Sequence, residues 1–387
     1  MKNTIKILFV IPSFSLGGTT SSLASLLNYL VSDVDEIGVF AIKKGGHDFS
    51  PLSKFNIGMN NLTTAYFGNY SHLLFKDKIS CLWVKLLKQN RKISNRIESW
   101  LIERTIRKIE TRKKYDIVVG FQENTVTRFS SRFSCPHKIA WIHCDYAHAF
   151  GREPKDINLY SLFSKIVCVS EFTRNKFINI YPMFTERTLA IHNLFDYESI
   201  MTRSQEEIKD SNFDTSSYSI VSIGRICDVK RFYVIPQIAE ELKTKGFNFR
   251  WYIIGSAVRP TDRDLIYDAI ERYGVGQEVI CLGGKTNPYP YLKASDLLVS
   301  LSKSEACPMI FNEAKVLNVP IISTDFGSAF EFIEQGVDGY ICTLEEMPDK
   351  IFKFATNPKQ LRMVKDNNRF QVSNTYILSQ LKELFSL

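Results

Sequence analysis

No stretch of the 387-residue chain approaches 18 consecutive apolar residues, so no helix is expected to span a membrane. The opening apolar run, Ile7–Ile11, is too short for a secretory leader, and nothing resembling a cleavage site follows it. Eight cysteines (81, 135, 144, 168, 227, 281, 307 and 342) are scattered, with no C-x-x-C pair and no clustering with histidine. That argues against a disulfide scaffold and against zinc, and leaves a reducing cytoplasm as the expected setting. The dinucleotide fingerprint G-x-G-x-x-G is missing, which weakens a dehydrogenase reading. No D-x-D-type motif stands at a suitable strand end, so no metal is expected. No internal repeat is visible. What remains, at 44% hydrophobic and 23% charged, is an ordinary globular composition with enough chain for two domains.

Charge of one sign is concentrated in one place. Between Lys85 and Lys114 eleven Lys/Arg face three Glu, a local +8 that equals the net charge of the whole chain. The segment has the pattern of one or two amphipathic helices, with Trp83, Leu86, Leu87, Ile93, Ile97, Trp100, Leu101 and Ile109 among its apolar positions. A solvated helix face, an anionic membrane surface and nucleic acid all match such a pattern. No nucleic-acid motif accompanies it, so nucleic acid is not expected as a partner.

Strand and helix patterns alternate along the chain. Buried strands are expected at Ile5–Ile11, Ile37–Ile42, Asp116–Phe121, Lys138–His143, Ile166–Val169 and Thr188–His192. A second series is expected at Ser219–Ile223, Arg250–Ile254, Val279–Leu282, Leu297–Leu301, Val319–Ser323 and Gly339–Cys342. Between the two series, 201–217 is polar and aperiodic and reads as a linker. The expected plan is therefore a doubly wound α/β domain over 1–200, a linker, a second over 218–366, and a helix in 367–387 free to cross back.

Ser300–Gly327, SLSKSEACPMIFNEAKVLNVPIISTDFG, is the most informative stretch. It reads as strand, loop, helix, strand and glycine turn. Pro308 suits a first helical position, and Met309, Ile310, Ala314 and Leu317 form the apolar face. Glu305 then lies in the mouth ahead of the helix and Glu313 one to two turns in. That mouth is the crevice where open parallel sheets bind ligands, and helix N–H groups point into it. Spacing alone proves little: Glu198 and Glu206 are also eight apart, in a polar stretch without pattern. On this evidence Glu305 is equally a carboxylate complementing a helix dipole, and Glu313 a solvated helix residue.

Other strand ends carry candidates. Gly17-Gly18 turns into a helix N-terminus, a ready anion site. Arg225 and Lys230 follow the first strand of the second series and suit a diphosphate, or are ordinary surface cations. His143 closes the W-I-H strand end, a position where histidine is either structural or catalytic. Asp325 reads as a helix-entry cap.

In this order the motifs resemble the retaining GT-B glycosyltransferases of family 4 (group 1). They are Gly17-Gly18, W-I-H at His143, V-S-E-F-T at 169–173, Asn193, G-R-x4-K at Arg225 and Lys230, Glu305-x7-Glu313, and Val-Asp-Gly at 337–339. The resemblance covers nearly the whole chain. It implies two Rossmann-like doubly wound parallel-sheet domains facing across a cleft, and a metal-independent, cofactor-free enzyme whose nucleotide sugar is a substrate. It implies that Arg225 and Lys230 hold the donor diphosphate and Glu313 the ribose hydroxyls. Glu305 would contact the donor sugar, His143 would face it from the other domain, and Gly17, Gly18, Pro308, Met309 and Ile310 would complete the donor site. Retention by front-face attack follows from the same resemblance. Family habit favours a UDP-hexose or UDP-N-acetylhexosamine, and a glycan or lipid-linked acceptor in bacterial surface polysaccharide synthesis. The expected location is cytoplasmic, peripheral on the inner face of the membrane where 85–114 docks. The chain departs from the familiar Gly-Phe-(Gly/Pro) after the first Glu: here stand Ala306-Cys307-Pro308. An epimerase on nucleotide sugars, distinguished by products formed without acceptor, is an alternative. So is a non-catalytic sugar-nucleotide-binding subunit, distinguished by binding without turnover.

Overall fold

The computed structural model describes residues 5–14, 17–43, 91–368 and 373–386. The chain forms two compact units, Met1–Leu194 with Ile377–Leu387, and Phe195–Tyr376.

The first unit is built on six parallel strands: β1 (Lys6–Ser13), β2 (Glu36–Lys43), β3 (Ile117–Gly120), β4 (His137–Ile142), β5 (Lys165–Cys168) and β6 (Thr188–Ala190). Their order is β2-β1-β3-β4-β5-β6. Near-continuous apolar runs such as KILFVI suit strands covered on both faces. On one face Leu8, Val10, Phe40 and Val118 pack against Ile106, Ile109, Val126 and Phe129. Phe40 stacks on Phe129 at 5.1 Å. Phe9, one residue out of phase with Leu8 and Val10, turns to the opposite face. There its ring meets Phe121 at 6.0 Å and Phe385 at 6.3 Å. Phe385 ends the Thr375–Phe385 helix, whose Ile377, Leu381 and Phe385 are buried.

The second unit repeats the plan with β7 (Tyr218–Ile223), β8 (Phe249–Ile254), β9 (Val279–Gly283), β10 (Leu297–Ser300), β11 (Ile321–Thr324) and β12 (Gly339–Cys342). Their order is β12-β11-β10-β7-β8-β9. In each sheet the winding reverses once, between β1 and β3 in the first and between β7 and β10 in the second. The loops beyond these strand ends flank an open crevice, the usual ligand position in such sheets.

Two expectations change here. The stretch 201–217 is part of the second unit, because its few apolar residues each find a place in that core. Met201, Ile208 and Phe213 pack against it, and the Phe213 ring lies 4.6 Å from Tyr252. The Met309–Val316 helix buries Phe311, Ala314 and Val316, with Ile310 partly packed and Met309 half-exposed. Of the expected apolar face Ile310, Ala314 and Leu317 pack into this core and Met309 does not, while Pro308 stands one residue ahead of the helix.

In the basic segment one helix runs over Arg91–Arg112. Ile106 and Ile109 are buried, while Trp100 is 51% exposed with the Arg104 guanidinium 5.4 Å from its ring. Trp83, Leu86 and Leu87 lie outside the described residues, as do the side chains of Ile93, Ile97 and Leu101.

Candidate functional site

In the second unit the candidates converge beyond β7 and β10. Gly224 follows β7, and a Cβ there would come within 3.1 Å of Lys230 Cε, so the glycine leaves room for the lysine side chain across it. Arg225 is exposed, Ile226 is buried, and a short turn over Asp228–Lys230 returns the chain. Lys230 forms an ion pair with Glu305, both being about one-fifth exposed (20% and 18%). Ser302 Oγ donates to the same Glu305 carboxylate at 2.8 Å, and Ser328 Oγ donates to the Glu305 carbonyl at 2.7 Å. Cross-links unite the two loops: Lys303 N donates to Val229 O at 2.8 Å, and Lys303 Nζ pairs with Asp228.

Glu313 sits in the middle of the Met309–Val316 helix and accepts a hydrogen bond from the Tyr289 hydroxyl at 3.3 Å. Though the residue is half-buried overall, its carboxyl lies deep among packed atoms, and burial pushes its pKa up to about 7. The Tyr289 hydrogen bond and the charges of Arg203 and Lys230 oppose that rise without cancelling it. Burial and the neighbouring Glu313 charge raise the Tyr289 phenol in turn. Arg203 lies over the Tyr289 ring at 4.9 Å and donates to Thr286 O at 2.9 Å. Glu313 is therefore no solvated helix residue.

Asp338 is held away from this chemistry. It is 1% exposed and pairs at 2.5 Å with Lys315, which tethers the helix to the 334–338 turn.

In the first unit, Gly17 and Gly18 lie beyond β1 at the start of the Gly18–Leu30 helix. Both are exposed, and a Cβ on either would meet nothing within 4 Å. Ser22 of that helix donates to buried Asn193 at 2.6 Å, so Asn193 anchors the helix. His143 follows β4 with its ring 4.7 Å from Phe121. Its Nε2 is buried and has no hydrogen-bond partner. Burial holds its pKa down to about 3, so the imidazole is neutral near pH 7. Its amide donates to Glu123 Oε2 at 2.9 Å.

The structure thus brings Lys230, Glu305 and Glu313 together beside the Met309–Val316 helix start. Sequence reasoning missed Glu123, Arg203, Tyr289 and Ser302. Glu123, three residues past the end of β3, and Ser302, two past the end of β10, carried a positional signal; Arg203 and Tyr289 carried none. Among the described residues no group of three or more His, Cys, Asp or Glu is placed to hold a metal ion. No described helix is long and apolar enough to cross a membrane.

The family profile "Glycosyl transferases group 1" matches residues 203–371. A capsular polysaccharide biosynthesis glycosyltransferase of Staphylococcus aureus is 26% identical over 234 residues, 59% of this chain and 61% of its own. An uncharacterized glycosyltransferase of Methanocaldococcus jannaschii is 24% identical over 166 residues, 42% of this chain and 40% of its own. The chain thus spans about two-fifths to three-fifths of the length of these relatives. Among solved structures, Anabaena HepE in complex with UDP and glucose superposes with a TM-score of 0.73 at 17% identity, covering 99% of each chain. Trehalose-6-phosphate synthase OtsA gives 0.71 at 11% identity, again over 99% of each. At such identities the likeness establishes the fold, a two-domain α/β architecture of the GT-B type.

Proposed function

We propose that this chain is a retaining GT-B glycosyltransferase of family 4. It would transfer a hexose or N-acetylhexosamine from a nucleotide sugar, UDP-linked by preference, to a glycan or lipid-linked acceptor in surface polysaccharide synthesis. The observation that carries the reading is the Lys230–Glu305 pair with Glu313 beside it, at the winding reversal of the second sheet. The profile match over the same unit and the glycosyltransferase names of the relatives support it.

The chemistry follows from the side chains. Departure of a nucleoside diphosphate builds negative charge on its outer phosphate. Arg225, Lys230 and the first amides of the Met309–Val316 helix supply positive charge for it. Without ligand Lys230 is paired to Glu305. A diphosphate competing for Lys230 would release the Glu305 carboxylate for sugar hydroxyls, so donor binding would arm the site. Glu313 serves the ribose hydroxyls. Neutral His143 offers a hydrogen bond rather than a charge. With Glu305 given to the sugar hydroxyls and Glu313 to the ribose, no obvious carboxylate nucleophile is offered, which favours front-face attack with the leaving phosphate accepting the acceptor's proton.

The acceptor class accounts for the basic helix as well. Exposed Trp100 amid Arg104, Arg107 and Lys108 is suited to anionic lipid on the cytoplasmic face of a membrane.

The test begins with thermal-shift screening of nucleotide sugars, followed by turnover with candidate acceptors. Arg225→Ala or Lys230→Ala should lower turnover roughly 10²–10³-fold, as loss of a preorganised charge partner does, in protein that remains folded. Near-native rates in either variant would remove the assignment.

A further inference from the structure

Arg231 has φ 54° and ψ 29°, a left-handed conformation that a long side chain adopts only under constraint. It joins the turn ending at Lys230 to the turn that buries Phe232. Its side chain holds the strained backbone in place. Nε donates to Leu301 O at 2.6 Å and Nη2 to Ser302 O at 3.1 Å, the two carbonyls that follow β10. Ser302 in turn donates from its hydroxyl to Glu305, and Thr324 Oγ1 donates to Ser302 O at 2.7 Å.

Lys230 therefore sits between two crosspieces. On one side the Val229 carbonyl accepts from Lys303 N, and on the other the Arg231 guanidinium grips 301 and 302. A glycine at 231 would adopt the backbone freely. Only the guanidinium reach requires arginine.

We propose that Arg231 is a positioning residue for the donor diphosphate. It latches the 225–231 loop onto the 301–305 loop, and so fixes where Lys230 meets a phosphate and where Glu305 meets the sugar. The inference rests on the reading of Lys230 as a diphosphate ligand.

Calorimetric UDP binding to the full chain tests it, using Arg231→Gly, Arg231→Asn, Arg231→Lys, Lys230→Ala and the Arg231→Gly/Lys230→Ala double variant. Glycine and asparagine both tolerate the left-handed backbone and lack the reach, so either serves should the other fail to fold. Each should lower UDP affinity about tenfold, the worth of one strong interaction, with a melting temperature near that of the native protein. Lysine, keeping the charge and one donor group, should recover part of the loss. In the Lys230→Ala background Arg231→Gly should cost nothing further, since a residue acting through Lys230 has nothing left to position. Native affinity in Arg231→Gly and Arg231→Asn, or an equal loss in both backgrounds, would overturn the latch. Native UDP affinity in Lys230→Ala alone would instead sink the reading beneath it, and the latch with it.

Discussion

Glu313 couples the candidate site to pH. Its carboxyl titrates at about 7, so it ionises across neutrality. A carboxylate accepts two ribose hydroxyls better than a carboxylic acid does, so UDP affinity should fall as pH drops from 8 to 6. Glu313→Gln should weaken UDP binding and flatten that profile; an unchanged profile would show that another group titrates. The stability sign is opposite. A carboxyl whose folded pKa lies above its ordinary value contributes stability that is present below the ordinary value and lost as pH rises through about 7. Chemical denaturation should find that slope in the native chain and not in Glu313→Gln. Glu305 behaves differently, because it is the partner of Lys230. Glu305→Gln frees that cation for phosphate, so UDP affinity should hold or rise while sugar transfer falls. Equal weakening of UDP by both changes would refute the division of roles. Exposed Glu206→Gln is the silent control.

Among the elements, the Arg91–Arg112 helix divides its duties by face. Ile106 and Ile109 serve the first core, so they are unavailable as lipid anchors. The outer face carries Trp100, Arg104, Arg107, Lys108 and Arg112, with Arg107 paired to Glu103 on the same face and Lys113 paired to Glu36. Each exposed cation near an anionic surface contributes about 1 kcal/mol, screened by salt. Replacing Arg104, Arg107, Lys108 and Arg112 with Gln should reduce sedimentation with phosphatidylglycerol vesicles at low salt and spare turnover on a soluble acceptor. Equal sedimentation of the native protein with neutral and anionic vesicles would leave the helix a solvated face.

For the whole molecule, the chain's return path matters. It leaves the first unit at Leu194 and comes back at Ile377 to pack three buried side chains under the sheet. Burying a large apolar side chain is worth about 1.5–3 kcal/mol, so deleting residues 377–387 should destabilise the first unit by several kcal/mol. The candidate diphosphate residues lie within 195–376, so UDP binding should survive the deletion. Urea unfolding followed with and without UDP would check this; a transition identical to that of the full chain would refute it.

The sequence by itself determined the twelve strands found among the described residues, the alternation that makes both sheets parallel, and the strand-end positions of Gly17, His143, Arg225, Lys230 and Glu305. These are local matters: apolar period, glycine turns and helix starts are written in neighbouring residues. It also misled locally. Polar 201–217 looked like a spacer because Ile208 and Phe213 stand too far apart to make a period. Tertiary structure decided the partners. Glu123 meets His143 across 20 residues, Tyr289 meets Glu313 across 24, and Arg231 meets Leu301 across 70. Only the strand order, which sets β10 beside β7, brings the last pair together. Packing alone raised the Glu313 carboxyl and kept His143 neutral, because desolvation depends on neighbours that no spacing reveals.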